Sequence, residues 1–271
     1  MSQPTEPEIL LTNDDGIETP GIRVLYDALS DVGNVTVVAP ADDQSAVGRS
    51  LSGEVGVTDH DLGYAVAGTP ADCVVAGLAE LGPFPDLVVA GCNKGANLGE
   101  YVLGRSGTIS AAVEAAFFDV PAIATSMYVP VGDLAFEDVE TGRSDYREAA
   151  RATTYLVEHA LEAGVFEEAA YLNVNAPVPE EAAGDPAPME ITRPSRRYEM
   201  DAVREGERVV LHDRVWEEME AESIPDPAGT DRRAVVEGRV SVSPLTAPHS
   251  TRHHEALDDL AERYPGTSLS S

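Results

Sequence analysis

The sequence predicts an α/β protein built on a mostly parallel sheet covered by helices on both faces. Two observations predict it. Short apolar runs alternate with helical patterns through the first two-thirds of the chain, and such alternation argues for parallel strands joined by helical crossovers. Several runs also stop abruptly in loops rich in Asp, Asn, Ser and Gly. Strands of an open α/β sheet end in this way when they deliver polar groups to a crevice at their carboxyl ends.

Taken in order, the predicted strands are Glu8–Thr12, Val35–Pro40, Tyr64–Ala67, Asp86–Ala90, Ala122–Ser126 and Ala170–Asn173. The predicted helices are Pro20–Leu29, Pro70–Leu81, Gly107–Phe118 and Tyr146–Ala163. Pro20 and Pro70 fall in first helical turns, where a missing amide costs nothing. In the last helix Ala149, Ala152, Tyr155, Leu156, His159 and Ala160 recur at helical spacing and are expected on one face. Composition changes after Pro177. Val178 to Pro188 is rich in Pro, Ala, Glu and Gly and reads as a linker. Ile191–Thr192, Arg208–His212 and Arg233–Val242 then read as short strands. The expected division is a catalytic core over residues 1–177 and a C-terminal extension over 178–271. The extension is too thin in apolar residues for a core of its own, so an arm, hairpin or dimerisation element packed on the core is expected.

Composition narrows the function. At 271 residues with 43 % apolar content the chain can fill a core, while no run approaches the ~18 apolar residues of a membrane span. Met1 to Glu8 is polar and acidic, unlike a signal peptide. Cys73 and Cys92 lack paired spacing and read as small hydrophobes in a reducing compartment. A cytoplasmic location is the expectation. The formal charge is −30, and Lys94 is the only lysine. Nucleic acid is therefore not an expected partner, because duplex binding relies on a basic footprint. Such a surface repels itself in dilute buffer. At ~1 M salt the screening length falls to about 3 Å, so a salty, halophilic cytoplasm is the expected setting.

The chemistry concentrates in strand-end loops. Ile9-Leu-Leu-Thr12 runs into Asn13, the adjacent acids Asp14 and Asp15, and Gly16. Two neighbouring carboxylates repel each other and hold protons unless a cation sits between them, so the pair suggests a divalent metal. A solvated turn is the other reading. After the second strand, Asp42, Asp43 and Ser45 offer oxygen ligands and Arg49 a phosphate contact, or the stretch is simply a polar loop. Gly68-Thr-Pro-Ala-Asp-Cys73 is best explained as a capped helix start with Thr69 as N-cap. Asp86 to Gly99 opens a strand into a glycine-rich loop in which Asn93 can offer an amide oxygen to a cation. Ser106-Gly-Thr108 leads directly into a small-residue helix, and its hydroxyls and free amides suit a phosphate. Phosphate-binding P-loops, dinucleotide fingerprints and nucleophile elbows are absent. Receiver domains also carry an acidic pair after their first strand, but Ala67-Gly68 stands where they need a third-strand aspartate. His253 and His254 read as surface residues. His212 and His249 reach a site only if the arm folds back.

These motifs, in this order, resemble the survival-protein-E (SurE) nucleotidase family across nearly the whole chain. Thr12-Asn-Asp-Asp-Gly-Ile17, Val37-Val-Ala-Pro40 with Gln44-Ser-Ala46, Gly68-Thr-Pro-Ala-Asp-Cys73, Gly91 to Gly99, Ser106-Gly-Thr108, Pro121-Ala-Ile-Ala124, Thr230-Asp231 and Gly238 to Leu245 carry the resemblance. It implies a Rossmann-like three-layer α/β/α sandwich with an extended C-terminal β-hairpin arm, exchanged between subunits of a homodimer or tetramer. It implies a 5'-nucleotidase that hydrolyses nucleoside monophosphates with one divalent ion per subunit, Mn2+ or Mg2+. The implied metal ligands are Asp14, Asp15, Ser45 and Asn93, with Asp14 and Asp15 catalytic. The implied phosphate contacts are Asn97, Ser106, Gly107 and Thr108. The chain departs from the family at Gly104-Arg105, where an aromatic residue usually precedes Ser-Gly-Thr, and at Lys94, where arginine or histidine is frequent. An exopolyphosphatase, a broad phosphatase or a non-catalytic nucleotide-binding module would use the same site.

Overall fold

A computed structural model describes residues 6–130, 136–178, 185–220 and 224–247, together with Glu255 and Leu260. Its main feature is a nine-stranded sheet in the order β3-β4-β2-β1-β5-β6-β7-β11-β8. Six strands form its parallel centre: β1 (Glu8–Thr12), β2 (Asn34–Pro40), β4 (Gly63–Ala67), β5 (Leu87–Lys94), β6 (Ala122–Tyr128) and β7 (Tyr171–Pro177). Moving away from β1, the chain winds in one direction through β2 and β4 and in the other through β5, β6 and β7. This is the doubly wound order, and its direction reverses between β1 and β5.

The apolar runs explain the layers. Along β1, Ile9 and Leu11 belong to one core cluster and Leu10 to the other. Along β5, Leu87 and Val89 pack on the first side and Val88 and Ala90 on the second. Successive strand residues point to opposite faces, so an unbroken apolar run is what a doubly covered strand requires. Helices α1 (Pro20–Leu29) and α5 (Arg147–His159) cover the first face through Ile22, Leu25, Leu29, Ala149, Ala152 and Leu156. Helices α2 (Pro70–Ala79) and α4 (Gly107–Phe117), the latter preceded by the single turn α3 (Glu100–Leu103), cover the second through Cys73, Val74, Leu78, Ile109, Ala112 and Ala115. The α/β class, the parallel sheet and all four of these helices match the sequence expectation. Both cysteines are buried and free.

The structure corrects several details. Tyr155 and His159 lie outside the buried face of α5 and stack on each other with centroids 4.3 Å apart, while Thr153 and Val157 turn inward. The exposed, polar edge strand β3 (Gly56–His60) carries no apolar run to announce it. Arg233–Val242 is not one strand. Its first part belongs to helix α7 (Asp231–Val236), and strand β11 (Val240–Leu245) follows after Gly238 breaks the helix at φ +74°. Ala234 and Val235 are buried because α7 packs against β11 and β7, rather than as members of a strand.

The chain beyond Pro177 does more than decorate the sheet. β11 pairs antiparallel with β7, and β8 (Met189–Ile191) pairs parallel with β11, extending the main sheet. β9 (Met200–Glu205) and β10 (Arg208–Asp213) form a separate antiparallel hairpin, continued by helix α6 (Arg214–Glu220). A third apolar cluster joins Val215, Met219, Ile224 and Val235 of this part to Ala96 and Leu98 of the loop after β5. Among the described residues, no helix is long and apolar enough to cross a membrane.

Candidate active site

The crevice at the reversal point between β1 and β5 is where ligands bind in such sheets, and both strands end there in polar residues. β1 delivers Asn13, Asp14 and Asp15. Asn13 Nδ2 donates to the Gly16 carbonyl at 2.8 Å and to Thr19 Oγ1 at 3.1 Å, holding the turn that presents the acids. Asp14 is buried and meets the N-terminus of α4, where Thr108 donates from its amide to Asp14 Oδ2 at 3.1 Å and from its hydroxyl to Oδ1 at 2.6 Å. Gly107 makes this approach possible, because a Cβ on it would stand 2.7 Å from the Asp14 Cβ. Asp15 Oδ2 accepts the Lys94 amide at 2.9 Å, which ties the acid pair to the end of β5.

Burial drives the electrostatics. It raises the Asp14 carboxyl above its ordinary range despite the two Thr108 hydrogen bonds. Burial first, and the Asp14 charge second, push Asp15 up to about 7. The cations nearby do not pair with either acid. Lys94 Nζ donates to the Phe136 carbonyl at 3.1 Å, Arg105 lies over the Tyr101 ring, and Arg49 pairs with Glu114 at 3.3 Å, lies over Phe117 and is absent from the cavity wall. The suggested phosphate contact from Arg49 is therefore not made from this position.

Buried Asp14 and part-buried Asp15, with no cation paired to either among the described residues, suit a metal ion. The remaining donors are a hydroxyl and an amide. Ser45 Oγ donates to Asp43 Oδ1 at 2.6 Å, and its lone pairs stay available. Asn93 Nδ2 donates to the Gly95 carbonyl, which leaves the amide oxygen free to accept. Among the described residues no three His, Cys, Asp or Glu side chains gather as a metal cluster, so a cation here would rely on two carboxylates completed by neutral oxygens. That donor set fits a hard ion such as Mg2+ or Mn2+.

Asp14, Ser45, Asn93, Asn97 and Ser106 line one cavity of about 400 Å³. Asp15, Gly107 and Thr108 are not on its wall and join it through Lys94 and Asp14. Asn97 is held by a buried amide network: its N–H donates to Asn175 Oδ1 at 2.7 Å, its Nδ2 to Ser126 Oγ at 2.9 Å, and its carbonyl accepts Asn173 Nδ2 at 2.9 Å. Ser106 caps α4 by accepting the Ile109 amide at 3.1 Å. Gly91 lets β5 cross close to β6: its φ is +137°, and a Cβ would stand 2.2 Å from the Thr125 carbonyl. Thr69 caps α2 in a reciprocal box with Asp72, as its sequence suggested. His212 sits on β10 opposite Asp201, away from the cavity wall. His249, His253 and His254 lie outside the described residues.

Sequence reasoning missed the apolar part of the cavity, formed by Val102, Tyr128, Val129, Phe136 and Trp216. One signal was available: Trp216 is the only tryptophan in the chain.

Fold and site together define a doubly wound α/β protein with an acidic, oxygen-donor centre at its topological switch point. The chain belongs to the SurE family, whose model, described as survival protein SurE, matches residues 9–201. It is similar to the 5'-nucleotidase SurE of Haloarcula marismortui, with 68 % identity over 96 % of each chain. It is 66 % identical to that of Natronomonas pharaonis over 95 % of this chain and 99 % of the relative, and 63 % identical to that of Halobacterium salinarum over 96 % and 98 %. These relatives come from halophilic archaea. Among solved structures, the SurE protein of Aquifex aeolicus superposes with a TM-score of 0.75 at 33 % identity, covering 94 % of this chain and 100 % of that one.

Proposed function

We propose that this chain is a divalent-metal-dependent 5'-nucleotidase that hydrolyses nucleoside monophosphates to nucleoside and inorganic phosphate. The observation that carries the reading is the Asp14–Asp15 pair, with buried Asp14 set against the N-terminus of α4 and sharing a cavity with Ser45, Asn93, Asn97 and Ser106. The names of the relatives at 63–68 % identity support it.

Asp14, Asp15, Ser45 and Asn93 would hold one Mn2+ or Mg2+ per subunit. When bound, that ion neutralises phosphate oxygens and activates water. Asn97, Ser106, Gly107 and Thr108 orient the phosphate, using the amide-rich start of α4 against the charge that grows in the transition state. The Thr108 hydrogen bonds hold Asp14 in one orientation while this happens. Water would attack phosphorus in line, the bond to the 5'-oxygen would break, and the proton given up by the water would pass to that oxygen as the nucleoside leaves. Asp15 keeps one oxygen on the Lys94 amide and would offer the other to the ion.

Residues 1–177 act as the catalytic core and 178–271 as an extension whose β9–β10 hairpin joins subunits into a homodimer or tetramer. Exposed Val203, Val209 and Leu211 on that hairpin support this assembly. The two free thiols suit a cytoplasmic location.

The test is a substrate panel with added Mn2+ in multimolar salt. Phosphate release from nucleoside monophosphates is expected, and Asp14→Asn is expected to abolish it. Near-normal turnover by that variant would refute the site. Sedimentation of Leu211→Lys in the same salt tests the hairpin, which predicts smaller assemblies than wild type.

A further inference from the structure

The same cavity has two kinds of wall. One is the acid, amide and hydroxyl set described above. The other is aromatic: Tyr128 at the end of β6, Phe136 beyond it, and Trp216 on α6 of the C-terminal extension. Tyr128 and Trp216 lie nearly parallel, at 15°, with ring centroids 6.4 Å apart. Such a spacing belongs to an offset pair. Phe136 is 42 % exposed although it lies in a cavity wall, and its ring sits 4.9 Å from Lys94 Nζ.

These rings do not complete the main core. Trp216 and Tyr128 pack at the edge of the small cluster that joins the extension to the loop after β5. Three aromatic side chains from separate segments therefore converge on one space, immediately beside the groups assigned to phosphate. A cavity of about 400 Å³ lies within the range used for small ligands.

We infer that this aromatic wall receives the nucleobase, so that the extension supplies through Trp216 the recognition that separates a nucleotide from other phosphomonoesters. The inference rests on the nucleotidase reading above. Stacking is tolerant of base identity because every base has a π-face. The polar side-chain atoms of this wall are only the Tyr128 hydroxyl, the Trp216 indole N–H and Lys94 Nζ, so recognition rests mainly on ring faces rather than on hydrogen bonds to a base edge.

The sole tryptophan makes a direct test possible. In metal-free protein at multimolar salt, adenosine is expected to cause a saturable change in tryptophan fluorescence. Ribose 5-phosphate, which has the sugar and phosphate without the base, is expected to leave it unchanged. With Mn2+ present, AMP is expected to be preferred over ribose 5-phosphate in kcat/KM. Phe136→Ala and Trp216→Ala are each expected to shrink that preference about 10-fold through KM, within the range for losing one base-stacking ring. Trp216→Phe is expected to restore most of it. Phe136 is exposed enough for its variant to fold if the Trp216 variants do not.

An unchanged fluorescence with adenosine overturns the inference. So does a preference for AMP that survives both alanine variants. Equal turnover of AMP and ribose 5-phosphate by wild type overturns it while leaving the phosphatase reading intact. Turnover of neither compound removes that reading and the inference with it.

Discussion

Asp231 ties the chain beyond Pro177 to the loop after β5, and its removal has a calculable cost. Its side chain is fully buried and accepts three backbone hydrogen bonds: Gly99 N–H on Oδ2 at 2.6 Å, and Ser195 and Arg232 N–H on Oδ1 at 2.9 and 2.8 Å. Asp231→Ala strands these donors. Each orphaned buried amide costs ~1–3 kcal/mol, so the gross penalty for three is roughly 3–9 kcal/mol. Part is returned, because burial already holds the Asp231 carboxyl above its ordinary range, so the charge itself was partly unfavourable. A net loss of about 3 kcal/mol is expected. For a chain of this size that lowers Tm by about 6–9 °C. Asp231→Asn keeps one oxygen for Ser195 and Arg232 and loses the Gly99 bond, so about 1 kcal/mol is expected. Because Gly99 closes the loop that carries Asn93 and Asn97, kcat/KM should fall in the same order. The assay is thermal and urea unfolding in multimolar KCl, followed by turnover of AMP. An alanine variant within 1 kcal/mol of wild type, or an asparagine variant as damaged as alanine, would refute the reasoning.

Three further outcomes are expected. Asp15 has a folded-state pKa of about 7 against an ordinary value of 3.8, so the folded state holds its proton more tightly. The corresponding stability is fully present below about pH 4 and is lost as pH rises through about 7. Mn2+ competes with that proton and should raise Tm more at pH 8 than at pH 5; an equal or opposite effect counts against the pair as its ligand. Gly107→Ala places a Cβ 2.7 Å from the Asp14 Cβ and should lower kcat at least tenfold while costing about 1–3 kcal/mol of stability. Near-normal kcat would show that Asp14 needs no such close approach. The charge of −30 should make Tm climb from dilute buffer to multimolar salt as screening removes self-repulsion, and a flat melting profile across the series would contradict the halophilic reading.

Much of the fold is legible because the central strands announce themselves. Leu10 and Val88 face one layer while their neighbours face the other, so the runs that bury both sides are apolar without interruption. Thr69 and Ser106 mark helix starts through their own hydroxyls, a strictly local chemistry. The errors fall where the deciding contacts are remote. Arg233 to Val236 has the β-branched look of a strand, yet Ala234 and Val235 are buried within α7, and Val235 joins a cluster with Leu98, far away in sequence. Nothing local separates Tyr155 from Leu156 as the inward residue of α5.

The sequence by itself determined the strand-end placement of Asp14, Asp15 and Asn93 and the helix-start placement of Ser106, because apolar run, break and polar cluster are all contiguous signals. It also determined the charge that makes a local cation necessary for an anionic substrate. Only the tertiary structure decided that Asp14 is held by Thr108, that Asp15 is held by the Lys94 amide, and that Asp231 fastens Gly99. It alone brought Tyr128, Phe136 and Trp216 to one wall of the cavity. Those contacts join segments up to 132 residues apart, and their partners are chosen by how the sheet winds and how the extension folds back over it, which no local pattern of residues encodes.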